Sequence, residues 1–152
     1  MGNQPLSIKA QIQISKLKAE VYEAIVDPAK MSNYFIAEGS GRMEAGIKLE
    51  WQFPEFDMKV PVRVGALLKD EYISFYWDDT DGKEMLVEIS LLPIGNTTHV
   101  VVTEKERDAD EAGIGWLGRN TEGWANFLAC LKAYLEYGIN LRKGAFDFMR
   151  AK

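Results

Sequence analysis

Chemistry that moves protons or attacks carbonyls needs a histidine, a cysteine or a carboxylate held against a partner, and this 152-residue chain offers few. Its single histidine, His99, stands in the run THVVV. A Ser-His-Asp arrangement would need that imidazole oriented by a carboxylate beside a nucleophile, and no nucleophile-elbow pattern accompanies it. His99 therefore reads as a structural or solvated strand residue. The single cysteine, Cys130, sits at the edge of an apolar helical face and reads as a small buried residue rather than a reactive thiol. One histidine and one cysteine cannot build a metal site from several such ligands. DDTDG, residues 78–82, puts Asp79, Asp81, Gly82 and Glu88 at positions three, five, six and twelve of an EF-hand loop. Position one would be Trp77, which cannot ligate, and acidic residues before a glycine are what a hairpin turn uses. GSGR, residues 39–42, lacks both phosphate-loop spacings. Glu88, and with it Glu104, are the carboxylates that fall within apolar strand runs, and no spacing pairs them as acid and base. These residues nominate no catalytic group, no metal and no cofactor.

The elements that would position any site are clearer. LSIKAQIQI, residues 6–14, alternates like a half-buried strand, with Leu6, Ile8, Ala10, Ile12 and Ile14 on one side. Ser15 can cap the following helix, KLKAEVYEAIVD, whose face is Leu17, Val21, Ala24 and Ile25. Asp27-Pro28 stops it and starts a second short helix, PAKMSNYF, with Asp27 as N-cap and proline in first position. From residue 37 the period changes to two. Ile47, Leu49, Trp51 and Phe53 share a face, as do Val60, Val62 and Val64, then Ile73, Phe75 and Trp77, then Met85, Val87, Ile89 and Leu91. THVVVTEKER closes a meander of five or six antiparallel strands, with Pro61 suited to an edge or a bulge. EKERDADE, 104–111, mixes both signs of charge and reads as a solvated strand end and loop.

The last element is the most regular. In TEGWANFLACLKAYLEYG, residues 121–138, Trp124, Phe127, Leu128, Leu131, Tyr134 and Leu135 recur on one helical face. The helix is expected over about 119–138, capped at Asn120 or Thr121 and stopped by Gly138. Its stripe is wide enough to dock on one face of a sheet. Gly123 lies at the edge of that stripe, where a missing side chain lets a neighbouring backbone or a bound molecule approach beside Trp124. The frayed start of a helix would accept the same glycine. The inward faces carry a surplus of large side chains, which packs a core or lines an apolar cavity. On the cavity reading, Trp51, Phe75, Met85, Gly123, Trp124, Phe127 and Leu131 line it, with Gly123 at its mouth.

Composition sets the outer limits. The chain is 47% hydrophobic and 27% charged, which is ordinary for a globular protein, and its length suits one domain over residues 1–152. A net charge of −5 with scattered Lys and Arg argues against a nucleic-acid partner. The start, MGNQPLSIKAQIQI, lacks the basic-then-apolar pattern of a signal peptide, and Leu6 occupies the place where a myristoylation pattern wants Ser or Thr. Apolar stretches are too short to span a membrane. A single cysteine suits a reducing compartment, so a cytoplasmic location is expected.

Strand, two short helices, meander and long closing helix together resemble the helix-grip fold of the START and Bet v 1-like superfamily. More narrowly, VYEAIVDPAKMSNYF, LEWQF and GWANFLACLKAYLEYG resemble the homologues of the heat-shock protein 90 ATPase activator, over roughly residues 6–140. The resemblance implies an α+β fold, a curved antiparallel sheet wrapped around the final helix with two short helices at one end. It also implies an apolar cavity for a lipid-like or polyketide-like molecule, bound without catalysis. Its alternatives are a protein-interaction or co-chaperone module and a cyclase or aromatase. It supplies no catalytic motif, and the separate chaperone-binding domain of the eukaryotic activators has no counterpart in these residues. INLRKGAFDFM, after residue 138, is expected to pack as a short surface tail.

Overall fold

A computed structural model describes residues 4–150; Met1-Gly2, weighed above as a lipid-acceptor start, lies outside them. Strand β1 (Leu6–Ile14) buries Ile8, Ala10 and Ile14 as its alternation requires. Helices α1 (Lys18–Val26) and α2 (Pro28–Met31) follow. Asp27 caps α2 through Oδ1, which accepts from the Ala29 N–H at 2.9 Å, and Pro28 fills the first position. Two expectations fail here. Ser15 does not cap α1: its N–H donates to the Glu136 carboxylate at 2.6 Å, and the Lys16 carbonyl accepts from Thr98 Oγ1 at 2.7 Å. With that linker tied to other elements, Leu17 becomes the cap residue and is 54% exposed, off the buried face. Helix α2 is also a single turn, because the chain bends after Ser32 to bury Tyr34, Phe35 and Ile36.

The sheet has seven strands in the order β1-β7-β6-β5-β4-β3-β2, each pair antiparallel. The remaining members are β2 (Glu38–Gly39), β3 (Lys48–Gln52), β4 (Lys59–Leu68), β5 (Tyr72–Asp78), β6 (Glu84–Ile94) and β7 (Thr97–Arg107). First and last strands pair, so α1 and α2 carry the chain from one edge of the sheet to the other. Pro61 pairs with Glu50 of β3 at a level where β4 has no registered partner on β5, which spares a ladder bond that proline could not make. The β4–β5 register shifts between Val64 and Leu67, and a side chain at Gly65 would meet Ser74 Oγ at 2.6 Å. Ser74 Oγ instead bonds both backbone groups of Ala66, holding the bulge that bends the sheet.

Residues 79–83 form the hairpin turn between β5 and β6, with Gly82 at φ 77°. Asp79 Oδ1 accepts from the N–H groups of Asp81 and Lys83, and its other oxygen pairs with Arg107. Arg107 is 4% exposed and Glu104 fully buried, so the run expected to be solvated contains two charges that fold into the interior. The strand reaches Arg107 as THVVVTEKER suggested, but its charged end is solvated only at Lys105 and Glu106.

Helix α3 (Glu111–Tyr137) begins about eight residues earlier than expected. Gly113, Gly115 and Gly118 weaken helix propensity there. Packing overrides it. Asp110 caps the helix by accepting from the Gly113 N–H at 2.7 Å, and Trp116 is fully buried. A Cβ at Gly113 would lie 1.9 Å from the Asp108 carbonyl oxygen, so the tight entry requires that glycine. Gly138 ends the helix in the left-handed conformation, φ 66°, as expected. The face of Trp124, Phe127, Leu128 and Leu131 is buried on the sheet, while Tyr134 and Leu135 are half-buried. Lys132 Nζ reaches the Gln13 carbonyl at 2.8 Å, anchoring α3 to β1.

Candidate functional site

Between α3 and the sheet the interior is occupied by rings meeting mostly edge to face. Trp51 and Phe75 pack at 5.2 Å between centroids, Phe75 and Trp77 at 5.2 Å, Trp124 and Phe127 at 5.1 Å, and Phe35 and Phe127 at 4.7 Å. Such pairs contribute about 0.5–1.5 kcal/mol each beyond the area they bury. Of the residues expected to line a cavity, Trp51, Phe75, Met85, Phe127 and Leu131 are all within this packed core, none more than 1% exposed. They fill the space between sheet and helix. Gly123 and Trp124 are placed differently.

A cleft of about 240 Å³ opens beside those two residues. Trp124 and Trp77 form its inner wall, with ring centroids 5.6 Å apart. Phe35 and Phe53, 5.1 Å apart, form a second wall, and Phe56 adds to it from the turn after β3. On the helix side a side chain at Gly123 would meet nothing within 4 Å, so the glycine leaves the cleft open. The outer wall comes from residues 139–149, which turn back after Gly138 and end in a single 3-10 turn, Asp147–Met149. Arg142, Phe146 and Met149 of this strap face the cleft.

Glu104 fixes the tryptophans. Its carboxylate accepts from Trp77 Nε1 at 2.9 Å, Trp124 Nε1 at 2.8 Å and Asn120 Nδ2 at 3.1 Å. Three neutral donors satisfy a buried carboxylate and orient both indoles, so their ring planes are set by β7. Arg142 fixes the strap: its Nη2 donates to the buried Glu55 carboxylate at 2.6 Å. Its guanidinium lies 5.8, 5.7 and 4.8 Å from the ring centres of Phe35, Phe53 and Phe146. Arg150 Nη2 adds a bond to the Pro54 carbonyl at 2.8 Å.

Phe53 and Trp77 belonged to the aromatic faces legible in the sequence, but their place at a cleft was not. Arg142, Phe146 and Met149 were missed because the tail read as surface packing. Their spacing of four and three residues is the signal that one side of the tail faces inward. His99 lies away from the cleft, with Nε2 2.8 Å from Gln11 Oε1. Cys130 is buried, and burial pushes its thiol pKa up, the opposite of what a nucleophile needs. Among the described residues no three of His, Cys, Asp and Glu cluster to hold a metal ion, and no helix is long and apolar enough to cross a membrane.

The comparisons agree with this architecture. The family described as activator of Hsp90 ATPase homolog 1-like protein matches residues 18–136. No curated protein matches the chain. Protein SSP2350 from Staphylococcus saprophyticus superimposes with a TM-score of 0.80 at 28% identity, over 90% of this chain and 96% of that one. The Aha1 dimer of Colwellia psychrerythraea gives 0.75 at 18% identity, over 88% of this chain and 98% of that one. DynU16, a putative protein in the dynemicin biosynthetic locus, gives 0.76 at 22% identity, with 88% of this chain matching 48% of that one. The last two likenesses concern the fold alone.

Proposed function

The chain belongs to the activator of Hsp90 ATPase homolog 1-like family, and from that premise we propose that it binds a small apolar molecule in the cleft between α3 and the strap. The observation that carries this reading is an open, ring-walled space beside Trp124, bordered on α3 by Gly123, where an added side chain would meet nothing within 4 Å. Pockets for small molecules are concave and mostly apolar, and the cleft is walled by the rings of Phe35, Phe53, Phe56, Trp77 and Trp124. In this reading Trp77, Trp124, Phe53 and Phe56 touch the ligand. Trp51, Phe75, Met85, Phe127 and Leu131 back them and hold the wall rigid. Glu104 serves position rather than chemistry, since it is committed to three hydrogen bonds.

Titration with phenylnaphthylamine, a neutral apolar fluorophore, tests this. Binding to the native protein should quench tryptophan emission, because Trp77 and Trp124 would contact the probe, and Gly123→Leu should weaken it. Absence of binding to the folded protein would sink the proposal.

A specific feature favours a second reading, a protein partner. Tyr137, Ile139, Leu141 and Phe148 are 68, 52, 51 and 76% exposed, so α3's end and the strap present apolar side chains outward. Leu141→Ser with Phe148→Ser would abolish a partner's binding while leaving the fluorophore's affinity intact.

A further inference from the structure

Among the described residues that line the cleft, one buried side-chain donor lacks a hydrogen-bond partner. Arg142 carries five N–H donors, and among the described residues the single contact is Nη2 to Glu55. Its Nε is buried without a partner. An arginine held against a carboxylate ordinarily uses two parallel bonds; here the pair is end-on through one nitrogen. An unmade bond at a buried donor is costly, and such donors in native proteins usually have a use. Around this one stand Phe35, Phe53 and Phe146, which shut out water and strengthen any charge interaction made among them.

The charge around Arg142 has a sign. A second groove shares Phe35, Glu55 and Arg142 with the cleft, and its lining holds three cations, Arg142, Lys143 and Arg150, against two carboxylates, Glu55 and Asp147. In the cleft itself Arg119 and Glu122 offset one another. An apolar space thus adjoins a position with one excess positive charge and an arginine with donors to spare.

We propose that Arg142 is the anion-recognition element of the cleft, and that the ligand is a flat apolar body carrying one carboxylate. The body lies on Trp77 and Trp124. The carboxylate takes the Nε side of the guanidinium, while Glu55 keeps Nη2, so the strap stays latched and adjusts only enough to admit the new bond. This assignment rests on the cleft being the ligand site, and it adds the class of ligand.

The test compares naphthoate with its neutral isostere naphthamide, by calorimetry and tryptophan quenching at low salt. The acid should bind roughly tenfold more tightly, the difference one charge-assisted hydrogen bond supplies. Arg142→Gln should erase the preference, and Glu55→Gln, which removes a competing negative charge, should widen it. If Arg142→Gln fails to fold, as judged by near-ultraviolet circular dichroism, Glu55→Gln carries the test alone. Equal binding of the two probes, or a preference that survives Arg142→Gln or fails to widen in Glu55→Gln, overturns the role of Arg142 and leaves the cleft reading standing. Binding of neither overturns both.

Discussion

Trp124 of α3 and Glu104 of β7 are joined by a 2.8 Å hydrogen bond inside the core, indole N–H to carboxylate. Helix and sheet are therefore held in one rotational setting as well as pressed together. Apolar packing alone tolerates small slides of a helix over a sheet; a directional bond from a buried donor does not. The same carboxylate holds Trp77, so the inner wall of the cleft is set from a single strand position.

Removing that acceptor should be felt throughout the wall. Trp124 is buried, so Glu104→Leu strands its indole N–H at a cost of about 1–3 kcal/mol. Glu104→Gln keeps one acceptor oxygen and should fall between the two. Urea unfolding followed by fluorescence gives the order, with midpoints expected to decrease from wild type to Gln to Leu. A Leu variant as stable as the wild type would show that the hydrogen bonds are dispensable.

Gly123 separates folding from binding. Because a Cβ there meets nothing, Gly123→Ala should raise stability by up to about 1 kcal/mol through helix propensity. Gly123→Leu should fold as well but bind the neutral fluorophore more weakly, since the side chain enters the cleft. Thermal melts and titrations on the two variants check both halves.

Leu131 is fully buried against the sheet, two helical turns from Trp124. Leu131→Ala should cost about 2–5 kcal/mol, the range for opening a cavity in a packed core. A thermal midpoint equal to that of the wild type would mean that α3 is seated differently.

Glu136 links pH to the docking of α3. It accepts from the Ser15 N–H at 2.6 Å and from Lys132 Nζ at 2.6 Å, and these bonds, the lysine's foremost, hold its carboxyl pKa below the usual value. A depressed folded-state pKa stabilises the fold above the unfolded value of about 4.3 and loses that contribution as pH falls through the folded value. Wild type should thus exceed Glu136→Gln in stability at neutral pH, with the gap closing below about pH 4. Denaturant midpoints measured at several pH values give the comparison; a gap independent of pH would refute it.

Much of the scaffold was legible because its periods are clean. Alternation from Ile47 to Leu91, the Asp27-Pro28 cap and the Gly138 stop are local signals, and each element they mark is present. The start of α3 was illegible because three glycines argue for a loop, while Asp110 and the burial of Trp116 argue otherwise only in three dimensions. Helical geometry put Gly123 at the edge of the apolar stripe beside Trp124, but a frayed helix start would have accepted the same glycine. Whether Trp51 or Phe75 lined an opening there or lay behind it could not be read, because a filled core and a lined pocket draw on the same residue types. Glu104 and Arg107 sat in a charged run whose neighbours are solvated, and their partners are distant: Trp124 is 20 positions from Glu104, and Asp79 is 28 from Arg107. Arg142 meets Glu55 across 87 positions, a pairing no local pattern announces.

The pairing of the first strand with the last has a consequence for how the chain is made. Gln11 of β1 meets His99 of β7 88 positions later, and Ser15 meets Glu136 121 positions later. A nascent β1 therefore leaves the ribosome well before its neighbour exists, and the inner face of the sheet stays uncovered until α3 has followed. Domains commonly fold as units during synthesis, and unpaired strands with exposed apolar faces are where aggregation begins. For this molecule the vulnerable interval lasts from the synthesis of β1 to that of α3, the same helix that forms one side of the cleft.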